Sequence, residues 1–126
     1  MTRGVAGGRT VLLFVYGTLA PGGRAWPMLE PYAVAVRPAS APGRLYDTGR
    51  GYPAAVFGPG ESRVHGTLCT LRDAPLDALD AWEGDEYERR TITTDDGTAA
   101  LAYHWRAGLA GLRPLAGGRW PQLANG

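Results

Sequence analysis

Residues 11–16 read VLLFVY, an unbroken apolar run that lies between Thr10 and Gly17. A strand with one solvated face alternates apolar and polar side chains, whereas a run without alternation is typical of a central strand buried on both faces. Such a strand needs a neighbour on each side and a layer of side chains on each face. The run therefore predicts a sheet with this strand in its interior.

The rest of the chain has the pattern of further short strands and one helix. The Asp-Gly step within residues 95–97 tolerates positive φ and is a strong hairpin signal. Prolines interrupt the segment 33–47, so that strand is expected to be an edge strand or a bent strand. We predict strands within 11–16, 33–47, 51–57, 63–71, 87–94 and 98–105, a helix over 73–84, and mostly turns after Trp105. One helix among about six strands indicates an α+β domain with a mixed or antiparallel sheet that curls toward a barrel.

The length and net charge of the chain favour a single globular domain and argue against a protein that binds nucleic acid or membranes. The chain has 126 residues with a formal net charge of +1, which suits a single domain over 1–126 with residues 1–10 and the last few flexible. So small a charge gives no field that would attract nucleic acid or an anionic membrane. The single cysteine, Cys69, permits no internal disulfide, and the longest apolar run is too short to span a bilayer. We therefore expect a cytoplasmic protein that binds neither nucleic acid nor membrane, with its oligomeric state left open.

The predicted helix, DAPLDALDAWEG, has clear boundaries and two different faces. Asp73 is a favourable N-cap residue, Pro75 suits the first turn, and Gly84 ends the helix. On a helical wheel one arc is apolar and the opposite side is acidic. The apolar arc consists of Leu76, Leu79 and Trp82, and the acidic side consists of Asp73, Asp77 and Asp80.

Glu83 falls inside the apolar arc, where a carboxylate has two alternative positions. Its side chain either extends past Gly84 to solvent or is buried. Burial would raise its pKa, because desolvation disfavours the anion and the helix C-terminus adds partial negative charge. A carboxylate that gains and loses its proton near neutral pH suits general acid/base catalysis. Glu83 is therefore a candidate catalytic residue, with the solvent-exposed position as the open alternative.

The remaining chemically reactive residue types offer weaker candidates. His65 and His104 stand apart in the sequence and lack the spacing of metal ligands, so we predict no metal site. Cys69 lies in a predicted strand and is expected to be a small core residue. The glycines between residues 17 and 23 match neither a Walker loop nor a dinucleotide-binding fingerprint.

Two segments, FVYGTLAPGG and LDAWEGDEYERRTI, resemble the gamma-glutamylcyclotransferase-like superfamily, in particular its short bacterial and plant branch with the AIG2-like proteins. Members carry a Tyr-Gly-(Thr/Ser) loop after the first strand, and a Leu-Asp-x-x-Glu-Gly helix end followed by Tyr-x-Arg. The matching residues are Tyr16, Gly17, Thr18 and Leu19, then Leu79, Asp80, Glu83 and Gly84, then Tyr87 and Arg89. Weaker matches are GRLYD (43–47), YPAAV (52–56), VHGTL (64–68) and GGRWP (117–121).

The resemblance implies a small barrel-like α+β fold in which the Tyr-Gly-Thr loop and the glutamate face each other across a cavity. It implies that a small-molecule gamma-glutamyl amide is converted into 5-oxoproline and a free amine, without a cofactor. Glu83 would be the general acid/base, and the backbone N–H groups of Gly17 to Leu19 would hold the glutamyl group. The expected substrate-binding residues are Tyr16, Gly17, Thr18, Leu19 and Tyr87.

Two other interpretations stay open. One is a non-catalytic binding module that keeps the cavity for a gamma-glutamyl or amino-acid-like ligand. The other is an OB-like barrel for single-stranded nucleic acid, in which six tyrosines and four tryptophans provide stacking, although a net charge of +1 argues against it. This chain also has Arg24, Ala25 and Trp26 where many relatives have an asparagine or histidine, so we expect that segment to shape the site entrance.

Overall fold

The computed structural model describes residues 9–121. The predicted flexible ends fall largely on residues 1–8 and 122–126, which lie outside the described residues, whereas Thr10 already begins the first strand. The strands are β1 (Thr10–Val15), β2 (Ala33–Asp47), β3 (Pro53–Phe57), β4 (Arg63–Arg72), β5 (Tyr87–Thr93), β6 (Ala99–Trp105) and β7 (Arg113–Pro114). The α-helix is α1 (Leu76–Glu83), and short 3-10 turns occupy Trp26–Met28 and Glu30–Tyr32.

The strands form one mixed sheet in the order β3-β2-β4-β1-β6-β5, with β7 beside β2. β1 is antiparallel to β4 and parallel to β6, so the predicted interior strand is confirmed. The sheet curls until its two ends meet. The Phe57 N–H donates to His104 Nδ1 at 3.1 Å, and the Asp95 N–H donates to the Ser40 carbonyl at 2.8 Å. The predicted α+β fold with a nearly closed barrel is therefore confirmed.

β2 is the proline-interrupted strand, and the structure shows that it is bent. Residues 33–42 pair with β4, and residues 43–47 then pair with β3. β2 therefore joins two parts of the sheet, because its first part pairs with β4 and its last part pairs with β3. This change of partner turns the sheet toward closure.

Burial along β1 alternates between two apolar clusters, one on each face of the sheet. Phe14 and Tyr16 point into one cluster, and Leu13 and Val15 point into the other. The helix packs on the second cluster through Leu79, which is 1% exposed. The same cluster contains Cys69, and burial raises the pKa of its thiol to about 11, as fits the predicted core residue.

The N-terminal boundary predicted for the helix is wrong. Asp73 has φ 58°, and its Oδ1 accepts a hydrogen bond from the Arg9 N–H at 2.8 Å instead of capping the helix. Pro75 occupies the N-cap position, because a residue that precedes proline is disfavoured in the α conformation and Ala74 therefore cannot begin the helix. The predicted end is confirmed: the Gly84 N–H donates to the Asp80 carbonyl at 3.0 Å, and Gly84 has φ 85°.

Candidate active site

A cavity of about 300 Å³ opens at the end of β1, between the loop that follows this strand and the last turn of α1. The six predicted site residues all line it, so the fold brings together two segments that are far apart in the sequence. The lining residues are Phe14, Val15, Tyr16, Gly17, Thr18, Leu19, Arg24, Tyr52, Pro53, Trp82, Glu83, Tyr87 and Tyr103.

The loop after β1 folds back on itself, and its first three residues line the cavity. The Ala25 N–H donates to the Thr18 carbonyl at 2.9 Å. A Cβ on Gly23 would lie 2.3 Å from that carbonyl oxygen, so the second glycine of the Pro-Gly-Gly segment permits the close approach. Within residues 9–121, the amides of Thr18 and Leu19 donate to no protein acceptor. Two backbone donors are therefore available at the cavity wall.

Gly17 is required by contact with the opposite wall of the cavity. A Cβ at this position would lie 2.5 Å from Pro53 Cγ and 2.7 Å from Pro53 Cδ. Pro53 in turn accepts a hydrogen bond through its carbonyl from the Tyr87 hydroxyl at 2.6 Å. The glycine thus lets the loop lie directly against the wall that holds Tyr87.

We expect Gly17→Ala to lower the free energy of unfolding by about 1–3 kcal/mol, because the added methyl group overpacks this contact. Urea unfolding followed by tryptophan fluorescence measures the change. Gly58→Ala is the matched control, since a Cβ at Gly58 meets nothing within 4 Å. Equal stability of the two variants would show that Pro53 moves aside without cost.

Glu83 is the last residue of α1, and its side chain turns toward the cavity rather than past Gly84. Across the part of the chain that the structure describes, its carboxylate accepts no hydrogen bond and forms no ion pair. Burial, and then the charge of Asp80, raise the pKa of Glu83 to about 7. The cavity therefore holds an unpaired carboxylate that can exchange a proton near neutral pH.

Tyrosines surround this carboxylate, and their hydroxyl protons are already engaged. The Tyr16 hydroxyl donates to the Tyr103 carbonyl at 2.7 Å, and the Tyr87 hydroxyl donates to Pro53 as described above. Burial is the first cause that raises the pKa of both phenols, and the nearby charge of Glu83 adds to it. Both side chains stay neutral and shape the walls of the cavity.

Asp80 lies next to Glu83 on the helix, and its side chain, which is 39% exposed, also contacts the sheet. Its Oδ1 accepts a hydrogen bond from the Tyr103 hydroxyl at 2.7 Å, and Arg89 Nη1 lies 3.5 Å away. The helical wheel placed Asp80 opposite the apolar arc that contains Glu83, and this is wrong, because the Asp80 charge acts on Glu83 while Tyr103 and Arg89 contact Asp80 from β6 and β5. The i, i+3 spacing of Asp80 and Glu83 was the signal that these two carboxylates share a side of the helix.

Trp82 differs from its prediction as well. It was expected on the apolar, inward arc, yet 47% of its surface is exposed and its ring borders the cavity. The reason is that α1 has only eight residues and rests on the sheet mainly through Leu79, so its last turn projects over the cavity edge. Sequence periodicity alone does not distinguish a core face from a cavity rim.

The other candidates do not join the cavity. His104 uses Nδ1 to accept the hydrogen bond from Phe57, and partial burial lowers its pKa. Within residues 9–121, no cluster of three or more His, Cys, Asp or Glu side chains is arranged to hold a metal ion. Nor is any helix in that range long and apolar enough to cross a membrane.

The sequence matches a known protein family over most of its length. Residues 13–122 match the sequence model described as gamma-glutamyl cyclotransferase, AIG2-like. Among proteins with curated functions, none matches the chain significantly. Several solved structures are similar to this one.

YkqA from Bacillus subtilis has 26% identity and a TM-score of 0.71, with 89% of this chain covered, and the chain spans 40% of the length of that protein. The uropathogenic E. coli protein c4763 has 24% identity and a TM-score of 0.72, with 86% of this chain and 89% of that protein covered. An Arabidopsis thaliana protein solved in solution has 30% identity and a TM-score of 0.61, with coverage of 76% and 68%. Since the family match extends over most of its length, the chain belongs to the gamma-glutamyl cyclotransferase, AIG2-like family.

Proposed function

We propose that the protein is a cyclotransferase that converts a gamma-glutamyl amide into 5-oxoproline and a free amine, with Glu83 as general acid/base. The observation that carries the proposal is the Glu83 carboxylate, which has no partner within residues 9–121 and a pKa raised to about 7, in a cavity also lined by Thr18 and Leu19. Family membership supports a cyclotransferase, and the cavity size suits a small molecule.

The first step is a proton transfer to Glu83. In its ionised form the carboxylate accepts a proton from the α-ammonium group of the substrate, which creates a nucleophilic amine. A base with a pKa near 7 accepts this proton more readily than an ordinary carboxylate would. The amine nitrogen then attacks the δ-carbonyl carbon of the same molecule, forming the C–N bond of the five-membered ring. The reaction is intramolecular, so the walls formed by Tyr16 and Tyr87 contribute by folding the substrate into an attack geometry.

The second step breaks the original amide. As the carbonyl oxygen becomes an oxyanion, the Thr18 and Leu19 amides can donate hydrogen bonds to it or to the glutamyl carboxylate. When the carbonyl re-forms, the C–N bond to the leaving group breaks and protonated Glu83 gives its proton to the departing nitrogen. The ring nitrogen releases one further proton, and the departing amine takes up this proton and leaves as an ammonium ion. Glu83 has then returned to its ionised form.

Mass spectrometry of the products tests the proposed reaction. The protein is incubated with a panel of gamma-glutamyl amino acids and gamma-glutamyl amines, and 5-oxoproline is measured together with the released amine. We expect both products in equal amounts from at least one class of substrate. Binding without release of 5-oxoproline across the panel would instead support the non-catalytic binding module.

The acid limb of the pH–rate profile is expected near pH 7. Since Glu83 must be ionised to accept the first proton, kcat/KM rises with pH through the pKa of the free enzyme and then levels off. In Asp80→Asn the neighbouring negative charge is gone, so the midpoint moves to lower pH.

Tyr103→Phe is the control for this shift. It removes the hydrogen bond to Asp80 but keeps the Asp80 charge, so its midpoint stays near that of the unmodified protein. A midpoint near 4.5 in the unmodified protein would contradict the assignment of Glu83 as the base.

A further inference from the structure

Arg24 lines the same cavity, and no step of the proposed reaction uses it. We propose that Arg24 binds a carboxylate on the leaving amine, so that the preferred substrates are gamma-glutamyl amino acids or peptides rather than simple gamma-glutamyl amines. The inference rests on the proposed function and names the substrate class for that site.

The position of the guanidinium group is fixed by a neighbouring loop. Arg24 Nη1 donates to the Gly51 carbonyl at 2.9 Å. A Cβ on Gly51 would lie 3.3, 3.5 and 3.9 Å from Nη1, Nη2 and Cζ, so the guanidinium group lies across bare backbone. This leaves Nε and Nη2 as donors without an acceptor in the described part of the chain. Such a planar group with two donors in a fixed orientation matches the geometry of a carboxylate.

Charge in the cavity points to an anionic group at this position. Among the described lining residues Arg24 is the one cation and Glu83 the one carboxylate. No described carboxylate forms an ion pair with Arg24, whereas Arg50, on the loop beside it, is held by Glu86 at 2.9 Å. The charge of Arg50 is therefore already neutralised by Glu86. The charge of Arg24 has no such partner among the described residues, so it attracts an anion and repels a cationic leaving group such as a polyamine.

The location favours the leaving group over the glutamyl group. Arg24 is exposed at the solvent side of the cavity, whereas Leu19 and Tyr16 are buried. The glutamyl α-amine must reach Glu83 to lose its proton, and the α-carboxylate is attached to the same carbon. The leaving amine extends from the other side of the scissile amide and must depart toward solvent. A carboxylate on that amine can therefore reach the exposed guanidinium group.

A matched pair of substrates tests the inference. Gamma-glutamylalanine and gamma-glutamylethylamide differ by the carboxylate of the leaving group alone, so the ratio of their kcat/KM values isolates that group. We expect a ratio of about ten or more in favour of gamma-glutamylalanine, the discrimination that a charge-assisted hydrogen bond supplies. Arg24→Gln lowers the ratio to about one. Arg44→Gln keeps it, because that variant loses the same charge at an exposed position outside the cavity.

When the compounds are turned over, any other result overturns the inference. If the unmodified protein does not discriminate between the two substrates, or if Arg24→Gln keeps the ratio of their kcat/KM values, Arg24 does not bind the carboxylate of the leaving group. An equal loss on both substrates would place its contact at the glutamyl α-carboxylate instead. If neither compound is turned over, calorimetry decides the role of Arg24, and the proposed function itself fails only if no other substrate of the panel releases 5-oxoproline. A preference for gamma-glutamylalanine in binding that disappears in Arg24→Gln supports the inference, and equal affinities overturn it.

Discussion

Glu83→Gln is expected to lower kcat by about 10³-fold, while KM changes little. The amide has nearly the size of the carboxylate and keeps the cavity filled, but it neither accepts the ammonium proton nor donates one to the leaving amine. Both proton transfers use the carboxylate oxygens of Glu83. Loss of this carboxylate therefore affects ring closure and amide cleavage together. Release of 5-oxoproline from the best substrate of the panel measures the effect.

Glu61→Gln is the control for this loss. Glu61 is exposed, lies in the turn before β4 and does not line the cavity, so the same change of residue type leaves turnover unaltered. Turnover that survives in Glu83→Gln would assign the proton transfers to another group and overturn the proposed mechanism.

The same substitution is expected to make the protein more stable at alkaline pH. The pKa of Glu83 is raised in the folded state from 4.5 to about 7, so the folded state disfavours its charged form. Below about pH 4.5 the carboxyl group is neutral in both states and costs nothing. As pH rises from about 4.5 through 7 the folded protein loses stability, and above that range the loss stays at about 2–3 kcal/mol. Glutamine carries no charge and avoids this loss.

Urea unfolding of both proteins at pH 5 and pH 9 measures this difference. We expect a small advantage in the free energy of unfolding for Glu83→Gln at pH 5 and the full advantage at pH 9. Glu61→Gln, whose side chain is solvated, shows no such advantage. If the free energies of unfolding of Glu83→Gln and the unmodified protein change in the same way between pH 5 and pH 9, the Glu83 carboxylate is solvated equally well in the folded and the unfolded state.

Elements with a strong local pattern were predictable from the sequence. The unbroken run in β1 indicates burial on both faces, and its residues do alternate between two clusters. The Asp-Gly step predicted the β5–β6 hairpin, and Gly97 has φ 89° there. Glu83 became a candidate because one charged residue broke an apolar arc, and the resemblance connected it with residues 17–19, which line the same cavity.

Features that depend on tertiary contacts were not predictable. β7 has two residues and exists because Arg113 and Pro114 meet Asp47 and Tyr46 on β2. The contact of Asp80 with Tyr103 requires the hairpin to lie under the helix, which no local pattern reveals. For the same reason Tyr52, Pro53 and Tyr103 were not predicted as cavity residues, since only the closed sheet brings them beside β1.

Because β1 pairs in parallel with β6, β1 cannot take its place in the sheet until β6, which lies far along the chain, has been synthesised. Leu13 and Phe14 meet Leu101 and Ala102, a contact that closes a long stretch of chain and belongs to the slow, non-local events of folding. Tyr103 on β6 also walls the cavity. A nascent chain on the ribosome therefore cannot complete this cavity until β6 has emerged.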